Sequence, residues 1–163
     1  METQSARFRK FALHPLKFRL FLLAKLPMAF WAGLRLSEID EERAEVRMRY
    51  GYFTKNPFRS IYFACLSMAA ELSTGALVLQ GIFERKPSFS MLVLSMQADF
   101  HKKAAGRIRF VCEDGKKVNV AVNACIQAPG EGQTVTLISK GFDQDGDCVA
   151  SFQFEWTLKQ RKA

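Results

Sequence analysis

The chain has 163 residues, 48% of them hydrophobic and 25% charged, which is ordinary for a single folded domain spanning residues 1–163. Its formal net charge of +8 suits an anionic partner, either a nucleic acid, an anionic membrane surface or a small anionic substrate. Four isolated cysteines, with no CxxC pair and no histidine at ligand spacing, exclude a recognisable zinc motif and favour reduced thiols in the cytoplasm.

The N-terminal part of the sequence predicts a mobile segment over residues 1–14 and then a helix over 15–30. Pro15 suits the first turn of a helix, and Pro27 interrupts or redirects it. This helix is basic and amphipathic, as are helices that lie on membranes. We expect it instead to cover the core of its own domain, without membrane association. The apolar run 20–24 is too short for a signal peptide.

The next elements are two strands and a buried helix. Residues 33–39 and 44–50 predict strands, and the second alternates between an apolar face and a charged face that holds Arg43, Glu45, Arg47 and Arg49. A loop with a turn at Asn56-Pro57 follows. Residues 61–83 are apolar on nearly every side, which indicates a central helix that a sheet surrounds.

The second half of the sequence is richer in strands. Four more are predicted, over residues 90–101, 106–112, 134–142 and 148–158. The acidic segment 143–147 lacks the glutamate that closes a calcium loop, so we interpret it as a turn. Residues 115–128 fit both strand and helix periodicity. The element order predicts an α+β fold with one antiparallel sheet and a helix on one face.

One carboxylate, Glu71, stands among small apolar residues of the central helix. Removing an ionised carboxylate from water costs several kcal/mol unless a partner compensates. Glu71 therefore either turns outward, makes a salt bridge or dimer contact, or is held for chemistry. It also completes a spacing, because Tyr62 follows Asn56 by six residues and Glu71 follows Tyr62 by nine.

This spacing resembles the motif of hotdog-fold thioesterases of the phenylacetate-pathway type, in which an Asn precedes His-Gly-Gly and then an Asp or Glu. Here Tyr62 replaces the His, and Phe63 and Ala64 replace the glycines. Residues 106–115 and 141–156 are similar to an uncharacterised bacterial branch of thioesterase-like hotdog proteins. The resemblance implies a curved antiparallel sheet wrapped around a long central helix, with an N-terminal helix, and it favours a helix at 115–128.

The resemblance also implies roles for individual residues. Glu71 corresponds to the general base or nucleophile, and Asn56 to the amide that positions water. The backbone N–H of Phe63 corresponds to an oxyanion donor at the helix N-terminus. Tyr62, in place of the His, can donate a hydrogen bond. Ser88 or Ser90 corresponds to a Ser or Thr after the helix.

The sequence therefore predicts an acyl-thioester hydrolase that acts on acyl-coenzyme A or an acyl-carrier thioester, as a homodimer or tetramer. Coenzyme phosphates are expected near the basic residues Lys55, Arg59, Lys102, Lys103 and Arg107. No metal or cofactor is implied, and the absence of an aromatic-basic or helix-turn-helix motif argues against nucleic acid. The alternative is a non-catalytic hotdog protein that binds a fatty acyl ligand or a protein partner, because the His-Gly-Gly segment is altered.

Overall fold

A six-stranded antiparallel sheet curves around one long helix in the computed structural model, which describes residues 3–161. The helices are α1 (Gln4–Ala12), α2 (Pro15–Lys25), α3 (Pro27–Trp31), α4 (Phe63–Ile82) and α5 (Gly115–Gln127). The strands are β1 (Arg35–Ile39), β2 (Ala44–Arg49), β3 (Phe89–Phe100), β4 (Arg107–Cys112), β5 (Gly132–Phe142) and β6 (Cys148–Gln160).

The strand order is β1-β2-β4-β5-β6-β3, so β1 and β3 form the two edges. The predicted turn at 143–147 joins β5 to β6, and Lys102 Nζ lies 2.6 Å from Asp143 Oδ2 and 2.7 Å from Asp147 Oδ2. An ammonium group thus occupies the space between the turn carboxylates. The structure confirms the α+β prediction, with the sheet wrapped around the central helix.

The central helix α4 is buried along most of its length, as its all-round apolar sequence predicted. It is long and apolar enough to cross a membrane, but 67% of that apolar stretch is buried inside the fold, which marks it as the core helix. Small residues let the sheet approach it closely. At its buried centre Ser73 Oγ lies 2.7 Å from Ser139 Oγ on β5, which satisfies both hydroxyls.

The helix α1 lies where the sequence predicted a mobile segment. Most of its residues are polar, but Phe8 and Ala12 are buried in the core. The two residues are one helical turn apart. The Phe8 ring packs against Phe83 with 5.2 Å between centroids. Residues 1 and 2 of the predicted mobile segment lie outside the described residues. The chain then turns at Pro27, so the predicted helix 15–30 is divided into α2 and α3.

Residues 115–127 form a helix, as the resemblance implied, and not a strand. Its first residue, Gly115, donates its backbone N–H to the carbonyl of Glu42 over 3.0 Å. A Cβ on Gly115 would lie 2.1 Å from the carbonyl oxygen of Glu41, so only glycine permits this approach. Among the cysteines, Cys65, Cys112 and Cys125 are buried and Cys148 is half-buried, all as free thiols.

Candidate functional site

Glu71 projects from the middle of α4 into a cavity of about 220 Å³ beside the turn between α2 and α3. The cavity is lined by Lys25, Leu26, Pro27, Met28, Ala29, Met68, Glu71 and Leu72. Glu71 is partly buried, and within residues 3–161 its carboxylate makes no ion pair, even though Lys25 lines the same cavity. Loss of hydration therefore raises the pKa of Glu71 above its ordinary value.

On the side away from the cavity, the Glu71 side chain lies against the next turn of α4 and against β6. A Cβ placed on Gly75 would lie 3.3 Å from Glu71 Oε1 and 3.3 Å from the Trp156 ring. Trp156 donates its indole N–H to Thr74 Oγ1 over 3.1 Å, and that hydroxyl donates to the Glu71 carbonyl over 2.9 Å. These contacts fix the helix and the indole on either side of the carboxylate.

The N-terminus of α4 carries free backbone donors. Tyr62 is the N-cap and makes no side-chain capping bond. The N–H groups of Phe63 and Ala64 have no hydrogen-bond partner in the part of the chain that the structure describes. They lie at the positive end of the helix dipole, where developing negative charge is stabilised. The side chains of Tyr62 and Phe63 are 46% and 54% exposed, so neither belongs to the core.

The start of α4, where these donors lie, borders a second cavity of about 660 Å³. This cavity is between the loop 51–62 and the segment 100–104. The cavity is lined by Asn56, Pro57, Phe58, Ser60, Ile61, Tyr62, Phe63, Leu66, Phe100, His101, Lys102, Lys103 and Ala104. Glu71 is not among its lining residues. Glu71 follows Phe63 by eight positions, which is about 12 Å along the helix axis. Within one chain the predicted acid and the predicted oxyanion donor therefore face different cavities.

Asn56 lines the second cavity, but its amide is engaged within its own loop. Its Oδ1 accepts from the backbone N–H of Phe58 over 2.9 Å and of Ser60 over 3.2 Å. Its Nδ2 donates to Ser60 Oγ over 2.9 Å. This is the pattern of a turn-stabilising asparagine. The loop holds the entry to α4 in place.

The predicted substrate-binding cations are dispersed. Lys103 lines the second cavity, whereas Lys102 lines it with its ammonium group paired to two aspartates. The two carboxylates raise the pKa of Lys102, and the Lys102 ammonium group in turn holds the pKa of Asp143 below its ordinary value. Lys55 lies over the Tyr52 ring at 4.6 Å from its centroid. Lys55, Arg59 on the loop and Arg107 on the sheet line neither cavity. The two predicted serines, Ser88 just before β3 and Ser90 within it, line neither cavity either.

Sequence reasoning missed the residues that enclose Glu71. Lys25, Leu26 and Met28 come from the N-terminal helices, more than forty residues away in sequence, and Pro27 was the only local signal of a turn there. It also missed the exposed aromatic rings around the second cavity, among them Phe58 and Phe100. Residues 3–161 contain no group of three or more His, Cys, Asp or Glu side chains that could hold a metal ion.

Solved structures share this fold along nearly the whole chain. One is a Pseudomonas aeruginosa protein, PA5026, described as a probable thioesterase, with 23% identity, a TM-score of 0.73, and coverage of 90% of this chain and 97% of that one. Another is the thioesterase HI1161 of Haemophilus influenzae, with 12% identity, a TM-score of 0.63, and coverage of 89% and 90%.

A third is the PaaI protein of the E. coli phenylacetic acid degradation operon, with 15% identity, a TM-score of 0.66, and coverage of 99% and 97%. Together these likenesses confirm the predicted hotdog fold. No curated protein matches the sequence significantly. Residues 16–158 match the model of the family described as a domain of unknown function, DUF4442, and the chain belongs to that family.

Proposed function

We propose that this DUF4442 member is an acyl-thioester hydrolase whose general base is Glu71. The observation that carries the proposal is a carboxylate on the core helix, partly buried beside a cavity and without an ion-pair partner within residues 3–161. Such a group weakens the fold, because burial disfavours its charged form. A carboxylate with a raised pKa is also a stronger base, which suits it to accept a proton from water.

In the proposed reaction Glu71 takes a proton from a water molecule, whose oxygen attacks the thioester carbonyl carbon. The free N–H groups of Phe63 and Ala64 donate hydrogen bonds to the carbonyl oxygen and stabilise the negative charge that develops on it. When the tetrahedral intermediate collapses, the carbon–sulfur bond breaks and the proton passes from Glu71 to the thiolate. The products are a carboxylic acid and a free thiol.

This mechanism needs two copies of the chain. Glu71 and the N–H of Phe63 are about 12 Å apart along one helix, so one carbonyl group cannot meet both in the same protomer. The edge strand β3 is twelve residues long, and its free edge can pair with a second copy. It exposes Leu92, Leu94 and Met96, which a partner would cover. We therefore propose a homodimer that combines the acid of one protomer with the donors of the other; a tetramer built from two such dimers also fits.

The second cavity fits an acyl chain, since its lining is largely apolar and aromatic. Lys103, at its rim, is suited to an anionic group of the carrier. We place the enzyme in the cytoplasm, where acyl thioesters of coenzyme A and of carrier proteins are found and where free cysteines stay reduced.

A second candidate is a non-catalytic protein that binds a fatty acyl ligand or a protein partner. The observation that favours it is at the start of α4, where the side chain of Phe63 stands beside the free donors, in place of the open space that glycine would leave. The Asn56 amide, already bonded within its loop, would also contribute no contact to water.

Hydrolysis of acyl-coenzyme A substrates of increasing chain length, by wild type and by Glu71→Gln, distinguishes the two. We expect wild type to turn over at least one chain length and the Gln variant to be slower by about 10²-fold or more. Glu131→Gln, which changes an exposed carboxylate away from both cavities, should retain full activity. No turnover by wild type would favour the binding protein. Turnover by the Glu71→Gln variant at the wild-type rate would show that Glu71 is not the general base.

A further inference from the structure

The outer face of the sheet carries a cluster of arginines that the proposed reaction does not use. We use the term arginine face for five outward-facing arginines on three neighbouring strands. They are Arg35 on β1, Arg47 and Arg49 on β2, and Arg107 and Arg109 on β4. The strand register sets them opposite one another. Arg47 pairs with Arg35 on one side and with Arg109 on the other, and Arg49 pairs with Arg107.

Like charges directly opposite each other on adjacent strands destabilise a sheet. Carboxylates of the same chain offset only part of this repulsion between the arginines. Buried Glu45 accepts from Arg47 Nε over 2.7 Å and lies 3.8 Å from Arg109 Nη1. By contrast, Arg35, Arg49 and Arg107 form no ion pair within residues 3–161. Three of the five guanidinium groups are thus left for an external anion.

We propose that the arginine face binds the acidic surface of a protein that carries its acyl chain as a thioester. This inference rests on the proposed function and names the carrier. A guanidinium group binds a carboxylate through two parallel hydrogen bonds. Several neighbouring guanidinium groups therefore suit a protein surface rich in Asp and Glu. Complementary charge of this kind mainly accelerates encounter and fixes orientation.

The shape of the face favours a macromolecule over a free nucleotide. Small ligands bind in concave sites, whereas this surface spans three adjacent strands on the outside of the sheet. Its chemistry favours a protein over a lipid bilayer. None of the exposed large hydrophobic side chains of the described chain belongs to β1, β2 or β4, so the face offers nothing to insert between lipids.

The position of the face connects it with the second cavity. Arg49 is the last residue of β2 and Arg107 the first of β4, and they pair at the same end of the sheet. Beyond them Tyr50 donates its N–H to the Gly106 carbonyl over 2.7 Å, and Ile61 donates to the Ala104 carbonyl over 2.8 Å. The segments that continue from these strands line the cavity at the start of α4. A carrier on the arginine face would therefore stand next to the cavity that receives its acyl chain.

The first test measures binding without chemistry. Its probe is a purified acidic acyl carrier protein in its phosphopantetheine form, with no acyl chain, titrated against the full-length protein. We expect saturable binding that weakens as salt increases, and at least a tenfold weaker affinity for the double variant Arg35→Gln, Arg49→Gln. Both side chains are exposed and form no ion pair in the part of the chain that the structure describes, so the variant should fold with unchanged or slightly higher stability.

The matched control is the double variant Lys10→Gln, Lys17→Gln. It removes the same charge from exposed positions on α1 and α2. We expect its affinity for the carrier protein to stay within about twofold of wild type, since distant surface charges are screened. Equal weakening by both double variants would show that net charge alone drives binding, and would overturn the proposal.

The second test compares hydrolysis of one acyl chain on the carrier protein and on coenzyme A. The arginine variant should lose about tenfold in kcat/KM for the carrier thioester and little for the coenzyme thioester. Carrier binding that depends on the arginines, without any hydrolysis, would contradict the proposed function and support this inference. Absence of carrier binding, or arginine-dependent binding of DNA or anionic vesicles in its place, would overturn the inference and leave the proposed function standing.

Discussion

Glu71 and Gly75 are one helical turn apart in α4, and a Cβ on the glycine would lie 3.3 Å from the Glu71 Oε1 atom. The same Cβ would meet the Trp156 ring at 3.3 Å. The glycine thus leaves the space in which the carboxylate and the indole lie side by side. A glycine inside a helix costs up to about 1 kcal/mol relative to alanine, so its position here indicates a steric requirement.

Gly75→Ala tests that requirement. We expect hydrolysis to slow by about tenfold or more, because the added methyl displaces the carboxylate by a few tenths of an ångström or more. The free energy of unfolding should change by no more than about 1 kcal/mol, since improved helix propensity offsets the contact. Gly81→Ala is the control, because its methyl would meet Val118 and Val122 of α5 and not the site. A Gly75→Ala enzyme as fast as wild type would contradict the steric role.

Glu71→Gln should stabilise the protein at neutral and higher pH. Burial raises the pKa of Glu71 from its ordinary value of 4.5, so between the two values the folded chain binds a proton that the unfolded chain has released. The free energy of unfolding of wild type therefore falls as pH rises through that window, and the neutral Gln side chain avoids this loss. Below the ordinary pKa the difference should disappear.

Urea unfolding of wild type and Glu71→Gln, at about pH 4 and about pH 8, measures this difference. The rate of hydrolysis should report the ionisation of Glu71 as well. The rate of wild type should rise with pH through the raised pKa, because the general base acts in its ionised form. A Gln variant less stable than wild type at the higher pH would indicate that Glu71 is stabilised by a partner.

Thr74→Val tests the buried link between α4 and β6. The substitution leaves the Trp156 indole N–H, now bonded to Thr74 Oγ1 over 3.1 Å, without an acceptor. We expect the free energy of unfolding to fall by about 1–3 kcal/mol in a urea titration. Thr74→Ser keeps the hydroxyl and should retain most of that stability. Equal losses in both variants would assign the effect to packing instead of the hydrogen bond.

Lys102→Met should leave the affinity for acyl-coenzyme A nearly unchanged, because Asp143 and Asp147 already neutralise the ammonium group. Lys103→Met removes a cation that lines the same cavity without such a pair in the described chain. We expect KM to change by less than roughly twofold for the first variant and to rise by about two- to fivefold for the second. Matching effects of the two variants would show that the aspartate pairing does not withhold Lys102 from the substrate.

The sequence predicted the central helix and the strands because their signals are local. An all-round apolar run marks a buried helix and strict alternation marks a strand with one exposed face, whatever the chain does elsewhere. It did not predict α1, since Phe8 and Ala12 are its only buried residues and Phe8 packs against Phe83, which is distant in the sequence. At 115–128 periodicity fitted two structures, and only packing against α4 and the sheet decides for the helix.

For the candidate site, the sequence by itself identified Glu71, because a lone acid in an apolar helix is visible as composition. The tertiary structure alone decided what surrounds it, since α2, α3 and β6 reach it from both ends of the chain. It also showed that Asn56 and Lys102 are held by local hydrogen bonds and ion pairs, and that scattered arginines form one face. Such groupings depend on strand register and long-range contacts, and spacing along the chain carries no information about either.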